Sequence, residues 1–272
     1  MTLEPIDVTF EPIDRTVIVD GVTLHYRETG SASGVPVVAL HGHPGTAATW
    51  DETAVGVCGA GDYRFLALTQ RGYGLSERVG PYSLETLAAD VLAFAAALGL
   101  GRFVLIGHSM GGTVASIAAA QAPSGQAPSA QAPSGLSPSQ LLGLVLEDSV
   151  TPREGVELPI PARPTAPESL PYDWNLVPAI LGQVAAPDPA WWTGLSRITA
   201  PTLVIAGGST SHVPQSMLAD AAAVIPQATL VTLEGAGHSV HRDAPARLLA
   251  ELTGFLNGLT PNPAKPSSTP EP

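Results

Sequence analysis

The chain has 272 residues, of which 44% are hydrophobic and 13% charged, which is enough to bury a sizeable core within one α/β domain. Acidic residues outnumber basic ones by 24 to 12, and the formal net charge is -12. This balance argues against nucleic acid and anionic membrane surfaces as partners, because both repel an acidic protein.

Cysteine usage and the absence of targeting signals indicate a cytoplasmic location. Cys58 is the only cysteine, so no disulfide can form within the chain, and we expect a structural thiol. The first fifteen residues are acidic and lack the apolar run of a secretory signal. The longest apolar stretch, residues 84–100, is interrupted by two acidic residues and is too short to cross a bilayer.

The first predicted element is a β-hairpin. Residues 16–19 and 22–26 flank Asp20-Gly21, a pair that suits a two-residue turn because both positions tolerate positive φ. Continuous apolar runs follow, and runs without polar alternation indicate strands that are covered on both faces, as in parallel sheets. These runs are residues 35–40, 65–68, 103–106, 141–146, 202–205 and 229–233.

Helical patterns separate the apolar runs. Ser83 begins one such pattern as a predicted cap, and Gly99 ends it. Further helices are predicted over residues 109–120, 214–224 and 244–256. Alternating strands and helices predict an α/β fold with a mostly parallel central sheet and helices on both faces.

Three segments depart from this alternation. Residues 121–135 repeat a QAPSG-like pentapeptide, so a flexible surface loop is expected over 121–140. Residues 259–272 read as a proline- and serine-rich disordered tail. The predicted core therefore comprises residues 1–150 and 197–258, with a short lid inserted at 151–196.

The lid segment, residues 151–196, is rich in proline and carries Trp174, Trp191 and Trp192. It follows the carboxyl end of a predicted strand, where it can fold over a site. We expect the three tryptophans to line an apolar substrate pocket. The alternative is a long loop that its aromatic side chains simply anchor.

The strongest motif is GHSMGG at residues 107–112, which follows an apolar strand and opens an alanine-rich helix. This is a G-x-S-x-G nucleophile elbow in its required strand-turn-helix context. Glycines on either side allow the strand and helix to approach closely, so that the hydroxyl of Ser109 stands exposed above the sheet. Ser109 is therefore the candidate nucleophile.

A second motif, GAGH at residues 235–238, directly follows the last apolar strand. A loop at this position can deliver a base within hydrogen-bonding distance of a serine hydroxyl. His238 is the candidate base by its position. Among the other histidines, we expect His108 to support the elbow, and His212 and His241 to lie at the surface.

The motifs resemble those of the α/β-hydrolase superfamily, in particular the serine esterase and lactonase branch related to serine bromoperoxidases and epoxide hydrolases. The resemblance extends over roughly residues 15–257. It implies a reaction that requires no cofactor. Serine at position 109 argues against the epoxide hydrolases and haloalkane dehalogenases, because those resemblances would require an aspartate there. The matching pieces are HGHPG at 41–45, QRGYGLS at 70–76, GHSMGG at 107–112 and GAGH at 235–238.

The resemblance also implies an oxyanion hole. In such hydrolases, the loop after the first parallel strand and the residue after the nucleophile each provide a backbone N–H; here these residues are His43 and Met110. The His-x-His spacing of His41 and His43 also suggests a metal site. No third ligand of suitable spacing follows, so no metal is predicted.

The acid that orients the histidine departs from the family pattern. Members usually carry it after the strand that here reads PTLVIAGG, but residues 208–212 hold no carboxylate. Some relatives carry the acid one strand earlier, where this chain has Glu147 and Asp148. Asp148 is the predicted acid, since its offset from the strand fits best and the order serine, acid, histidine is kept. Glu147, or no acid at all, remains open.

These residues predict a carboxylic-ester hydrolase for small apolar or aromatic molecules, with an acyl-enzyme on Ser109. The same machinery could instead cleave a lactone, thioester, amide or activated C–C bond. The missing acid after PTLVIAGG also allows a small-molecule-binding protein on a hydrolase scaffold, and a purely structural role is a further alternative. The sequence leaves the substrate and the oligomeric state open.

Overall fold

The computed structural model describes residues 10–122, 140–149, 151–155 and 159–259. Most of the predicted repeat loop and all of the predicted tail except Leu259 lie outside these residues, so both stay predictions. Leu259 itself ends a helix and does not begin a tail.

Eight strands form one sheet. They are β1 Ile13–Val19, β2 Val22–Gly30, β3 Val35–Leu40, β4 Tyr63–Leu68, β5 Arg102–His108, β6 Gln140–Glu147, β7 Thr202–Ala206 and β8 Ala228–Thr232. Their spatial order is β1-β2-β4-β3-β5-β6-β7-β8. The pairs β1–β2 and β2–β4 are antiparallel and the other five are parallel, which confirms the predicted mostly parallel sheet.

Helices cover both faces of the sheet, as predicted. They are α1 Asp51–Ala60, α2 Leu84–Ala97, α3 Met110–Gln121, α4 Leu176–Ala185, α5 Pro189–Gly194, α6 Gln215–Val224, α7 Val240–Asp243 and α8 Pro245–Leu259. Alternate residues of β3 enter opposite cores. Val38 and Leu40 belong to the core with α2 and α3, whereas Val37 and Ala39 belong to the core with α1 and α8.

Local signals in the sequence produce the expected turn and cap. Asp20 and Gly21 both have positive φ, at 48° and 82°, as a tight hairpin turn requires. The Ser83 hydroxyl accepts a hydrogen bond from the Thr86 N–H at 3.0 Å and so caps α2. Gly99, with φ of 64°, follows the end of that helix.

The proline-rich lid segment contains two helices that its composition did not indicate. Pro178 lies within the first turn of α4 and Pro189 is the first residue of α5, positions where a missing N–H leaves no helical bond unmade. The prolines therefore sit at helix starts as well as in loops.

Cys58 is a buried free thiol of α1. Burial raises its pKa to about 11, so the thiol stays protonated and unreactive at neutral pH. This agrees with the structural role expected from the sequence.

No helix in the part of the chain that the structure describes combines the length and apolar character needed to span a bilayer.

Candidate active site

The candidate nucleophile stands on a strained turn between β5 and α3. Ser109 has φ of 53° and ψ of -125°, a conformation that costs a residue with a side chain on the order of 1–3 kcal/mol. Two contacts show why the neighbours are glycines. A Cβ at Gly107 would lie 2.4 Å from the Gly111 carbonyl oxygen, and one at Gly111 would lie 2.5 Å from the His41 carbonyl oxygen.

Hydrogen bonds hold the strained serine in place. Its N–H donates to the Glu147 carbonyl oxygen at 3.1 Å. Its own carbonyl oxygen accepts from the Ser149 hydroxyl at 2.6 Å and from the Gly112 N–H at 2.9 Å. The backbone of position 109 is therefore fixed from β6 as well as from α3.

The imidazole of His238 bridges the serine and a carboxylate. Its Nε2 lies 3.0 Å from the Ser109 hydroxyl oxygen, and its Nδ1 lies 2.8 Å from Oδ2 of Asp148. The structure thus brings together the three residues that the sequence put forward separately. This is the geometry in which a histidine can take a proton from a serine while a carboxylate sets its tautomer.

Asp148 is fully buried, and donors surround its carboxylate. Oδ2 also accepts from the Ser211 hydroxyl at 2.5 Å, and Oδ1 accepts from the Gly207 N–H at 2.9 Å and the Gln215 amide at 3.3 Å. Burial acts to raise the pKa of this carboxyl group, but the hydrogen bonds from His238, Ser211 and Gly207 outweigh burial and lower it. The group is therefore ionised at neutral pH.

Two of these donors, Ser211 and Gln215, come from the segment after β7, where the family pattern would have placed the acid. Neither residue was predicted, because an isolated polar residue in a loop or at the start of a helix carries no local signal. The only indication in the sequence was the missing carboxylate after β7. If the acid follows β6 instead, polar residues in the segment after β7 are needed to bind it.

Glu147, the alternative acid, is directed at a different histidine. Its Oε1 accepts from the His241 N–H and lies 2.8 Å from His241 Nδ1. Only 9% of the His241 side chain is exposed, so the expectation that His241 lies at the surface is wrong. The two contacts with Glu147 hold this imidazole in the interior.

His108 holds the loop that carries the candidate base. Its Nε2 donates to the His238 carbonyl oxygen at 2.9 Å, and burial lowers its pKa to about 4. Ligand atoms of His108, Glu147 and His241 lie within 4.8 Å of one another, close enough for a cation in principle. Hydrogen bonds already engage one atom of each: His108 Nε2 donates to the His238 carbonyl oxygen, and Glu147 Oε1 contacts His241 Nδ1, whereas Oε2 of Glu147 is buried without a partner. The hydrogen bond of His108 shows that the cluster supports the loop of His238.

The two predicted oxyanion residues lie beside the nucleophile. His43 and Met110 line the same cavity as Ser109, and the N–H of Met110 is the first of α3, where no acceptor exists within the helix. The buried hydroxyl of Tyr73 joins their side chains, at 3.0 Å from His43 Nδ1 and 3.4 Å from Met110 Sδ. Burial lowers the pKa of His43, which keeps it neutral.

His41 is not available as a metal ligand. Its Nδ1 bonds the Gly42 carbonyl oxygen at 2.8 Å, and its Nε2 accepts from the Gln70 N–H at 3.1 Å. Both ring nitrogens are therefore occupied. Burial lowers its pKa to about 4, in keeping with a neutral imidazole that supports the loop.

A cavity of about 560 Å³ opens above Ser109. Its wall consists mostly of aliphatic side chains from α4 and of prolines from the lid segment. None of the three tryptophans that were predicted to line the pocket is among its lining residues, so that part of the prediction is corrected. The lining residues are His43, Leu84, Ser109, Met110, Thr113, Asp148, Ser149, Pro152, Pro159, Pro161, Leu176, Val177, Ile180, Leu181, Val184 and Val213.

The tryptophans have other contacts. Trp191 is buried in the core with α3, and its indole N–H donates to Glu85 at 2.8 Å. The guanidinium of Arg153 lies 5.0 Å from the centroid of the Trp192 ring. Trp174 is buried just before α4. A buried indole N–H needs an acceptor, and Glu85 of α2 holds Trp191 away from the cavity.

A family model described as "Alpha/beta hydrolase family" matches residues 37–252. Among characterised proteins, sn-1-specific diacylglycerol lipase ABHD11 of Mus musculus is 26% identical over 254 residues, covering 84% of this chain and 82% of the lipase. Non-heme chloroperoxidase of Streptomyces lividans is 40% identical over 94 residues, which is 34% of each chain. The chain thus spans about a third of the chloroperoxidase it matches.

Solved structures show the same fold. E-2-(acetamidomethylene)succinate hydrolase has a TM-score of 0.73 at 22% identity, with 90% of this chain and 99% of that chain covered. A thermophilic esterase from Thermogutta terrifontis has a TM-score of 0.71 at 22% identity, with 91% and 99% covered. At this sequence identity, the similarity shows that the fold is shared and says nothing about the substrate.

Proposed function

The chain belongs to the alpha/beta hydrolase family, and on this premise we propose that it cleaves carboxylic esters of small apolar molecules through an acyl-enzyme at Ser109. One observation carries the proposal: His238 Nε2 lies 3.0 Å from the Ser109 hydroxyl oxygen while its Nδ1 lies 2.8 Å from Asp148. A binding protein would have no use for a strained serine aligned with a base and a buried acid.

In the proposed first half-reaction, His238 takes the hydroxyl proton as the Ser109 oxygen attacks the ester carbonyl carbon. The carbonyl oxygen becomes an oxyanion, which the N–H groups of His43 and Met110 stabilise. The ester C–O bond then breaks, and the imidazolium of His238 protonates the departing alcohol. The acyl group remains on Ser109.

In the second half-reaction, a water molecule takes the place of the alcohol. His238 removes a proton from the water as its oxygen attacks the acyl carbon. Collapse of the second oxyanion releases the carboxylic acid and returns the proton to Ser109. The buried charge of Asp148 stabilises the imidazolium in both halves, and these steps use only side chains and backbone of this chain.

Covalent labelling tests the proposal. An alkyl fluorophosphonate is expected to add one phosphonyl group per chain, detected by intact mass and located at Ser109 by peptide mapping. Ser109→Ala should take up no label, and His238→Ala should react more slowly by about two orders of magnitude or more, the scale of lost general-base catalysis. Hydrolysis of p-nitrophenyl acetate by the wild type alone should accompany the labelling.

Label at another residue, or equal labelling of Ser109→Ala, would contradict the proposal. Tight binding of esters without labelling or turnover would favour the binding-protein alternative.

A further inference from the structure

The polar groups of the cavity are confined to one end. Four of the five polar lining residues, His43, Ser109, Asp148 and Ser149, belong to the candidate active site or directly follow one of its residues. The fifth, Thr113, lies one turn along α3 from Ser109. The rest of the lining, among the residues that the structure describes, consists of aliphatic, proline and methionine side chains. A substrate can therefore place polar atoms only at the reacting ester group.

Helix α4 supplies most of the aliphatic wall. Its lining residues recur with the spacing of a single helical face, and they are Leu176, Val177, Ile180, Leu181 and Val184. Leu84 and Val213 also line the cavity.

We propose that this cavity binds the uncharged, saturated chain of an aliphatic ester, and that α4 is the element that determines chain length. The inference rests on the proposed function and deepens it. Among the described lining residues, Asp148 is the only charged one, and His238 and Ser211 already bond its Oδ2. Within this described lining, a charged substrate would find no unpaired counter-ion and would be costly to bury.

The wall also discriminates against aromatic substrates. Apart from the imidazole of His43, no aromatic ring lines the described part of the cavity. An aromatic acyl group therefore finds few partners for the stacked or edge-on contacts that aromatic rings prefer. A flexible aliphatic acyl chain, in contrast, can adapt its conformation to pack against the leucine, valine and proline side chains.

The size of the cavity favours more than an acetyl group. A volume of about 560 Å³ lies within the range that holds drug-sized ligands, so an acetate ester leaves most of it unfilled. Each further methylene of the acyl chain that is buried against the cavity wall should raise kcat/KM by about fourfold. The rise should stop when the acyl chain reaches the end of the cavity.

The test is a series of p-nitrophenyl esters: acetate, butyrate, hexanoate, octanoate and decanoate, with the benzoate and the succinate monoester for comparison. For the wild type, kcat/KM should rise along the aliphatic series, and the benzoate and succinate should fall below the hexanoate. A flat or falling aliphatic series, or preference for the succinate, would overturn the inference while leaving ester hydrolysis intact.

A matched pair of variants on α4 tests the assigned element. Leu181→Trp fills the cavity and should lower the octanoate-to-acetate ratio of kcat/KM by about tenfold, equivalent to losing roughly two buried methylenes. Gly182→Trp adds the same side chain at the neighbouring exposed position, where a Cβ contacts nothing within 4 Å, and should keep the wild-type ratio. Equal ratios in the two variants would contradict a selective role for α4.

Binding to Ser109→Ala separates this inference from the proposed function. Calorimetry with intact ethyl esters should show Kd falling by about fourfold per methylene, whether or not the wild type turns them over. If Kd depends on acyl-chain length but the wild type hydrolyses none of the esters, the proposed function is wrong, while the proposal that the cavity binds aliphatic chains stands. A Kd that does not change with acyl-chain length would contradict the proposal that the cavity binds aliphatic chains.

Discussion

At the scale of single residues, Asp148 shows how the site was assembled. It has positive φ, at 41°, which is uncommon for a residue with a side chain, and β7 and α6 supply donors to its carboxylate. Motifs in the sequence predicted Ser109 and His238 directly, because each lies in a recognisable glycine-rich turn. Asp148 could be predicted only through the resemblance to relatives that carry the acid one strand earlier, and its partners Ser211 and Gln215 could not be predicted at all.

The position of Ser211 leads to a prediction about moving the acid. Its hydroxyl oxygen lies 2.5 Å from the same Asp148 oxygen that contacts His238, so a carboxylate at position 211 can reach the imidazole. The double variant Asp148→Asn with Ser211→Asp should recover about tenfold or more of the kcat/KM lost in Asp148→Asn alone. Steady-state hydrolysis of p-nitrophenyl butyrate measures this.

Ser209→Asp in the Asp148→Asn background is the matched control. Ser209 lies on the same loop but is exposed, and its hydroxyl contacts Glu234. This double variant should stay as slow as Asp148→Asn. Equal activity of the two double variants would mean that proximity to His238 does not explain any recovery.

At the scale of elements, apolar runs in the sequence predicted the strands well. The central strands β3, β5 and β7 are largely buried, as such runs indicate, whereas the edge strand β8 is mostly exposed. Every predicted run lies in an observed strand or overlaps it, although β4 begins two residues earlier. Helix α1 was missed, since its sequence DETAVGVCGA contains two glycines and no clear apolar face. The order β2-β4-β3 and the packing of the lid helices depend on long-range contacts, which local patterns do not encode.

The junction of β5 and α3 leads to a prediction about Gly107. A methyl group there would lie 2.4 Å from the Gly111 carbonyl oxygen and 2.6 Å from Gly112 Cα, and neither backbone group can move without shifting Ser109. Gly107→Ala should lower the free energy of unfolding by about 1–3 kcal/mol and reduce kcat/KM by about a hundredfold or more. Urea unfolding and ester hydrolysis give the two values.

Gly101→Ala provides the comparison. This glycine precedes the same strand, and a Cβ there meets nothing within 4 Å. It should unfold near the wild-type midpoint and remain active. If Gly107→Ala behaves like Gly101→Ala, then close approach of strand and helix does not explain the glycine.

At the scale of the whole molecule, buried neutral histidines should make stability depend on pH. Burial lowers the pKa of His41 and of His108 from 6.5 to about 4. Between these values the unfolded chain binds protons that the folded chain does not. The free energy of unfolding should therefore fall as pH drops from 6.5 towards 4, by about 1 kcal/mol per pH unit for each histidine.

Other groups also titrate, so the test compares variants. Burial raises the pKa of Asp90, which acts in the opposite direction. The lowered pKa of Asp148 affects the free energy of unfolding only below about pH 5, where the unfolded chain begins to protonate this group. His108→Gln should show a shallower loss of stability in urea unfolding between about pH 7 and about pH 5, and the exposed His212→Gln should match the wild type. Identical slopes for all three proteins would contradict the account.

The whole site is assembled from distant parts of the chain. The candidate site residues His43, Ser109, Asp148 and His238 follow the carboxyl ends of four parallel strands of one sheet, β3, β5, β6 and β8. Open α/β sheets place their ligands at this edge. That convergence follows from the fold and could be predicted. The aliphatic character of the cavity could not, because none of the three tryptophans of the lid segment lines it and Trp191 packs in the core instead.

The most direct test of the central claim is the kcat/KM of Asp148→Asn for p-nitrophenyl butyrate, with Ser109→Ala as the blank and Glu147→Gln alongside. The displaced-acid triad predicts a loss of about a thousandfold or more for Asp148→Asn, because His238 loses its orienting carboxylate. Glu147→Gln should remain far closer to the wild type, since Glu147 contacts His241. Near-full activity of Asp148→Asn would contradict the triad and leave a serine-histidine pair.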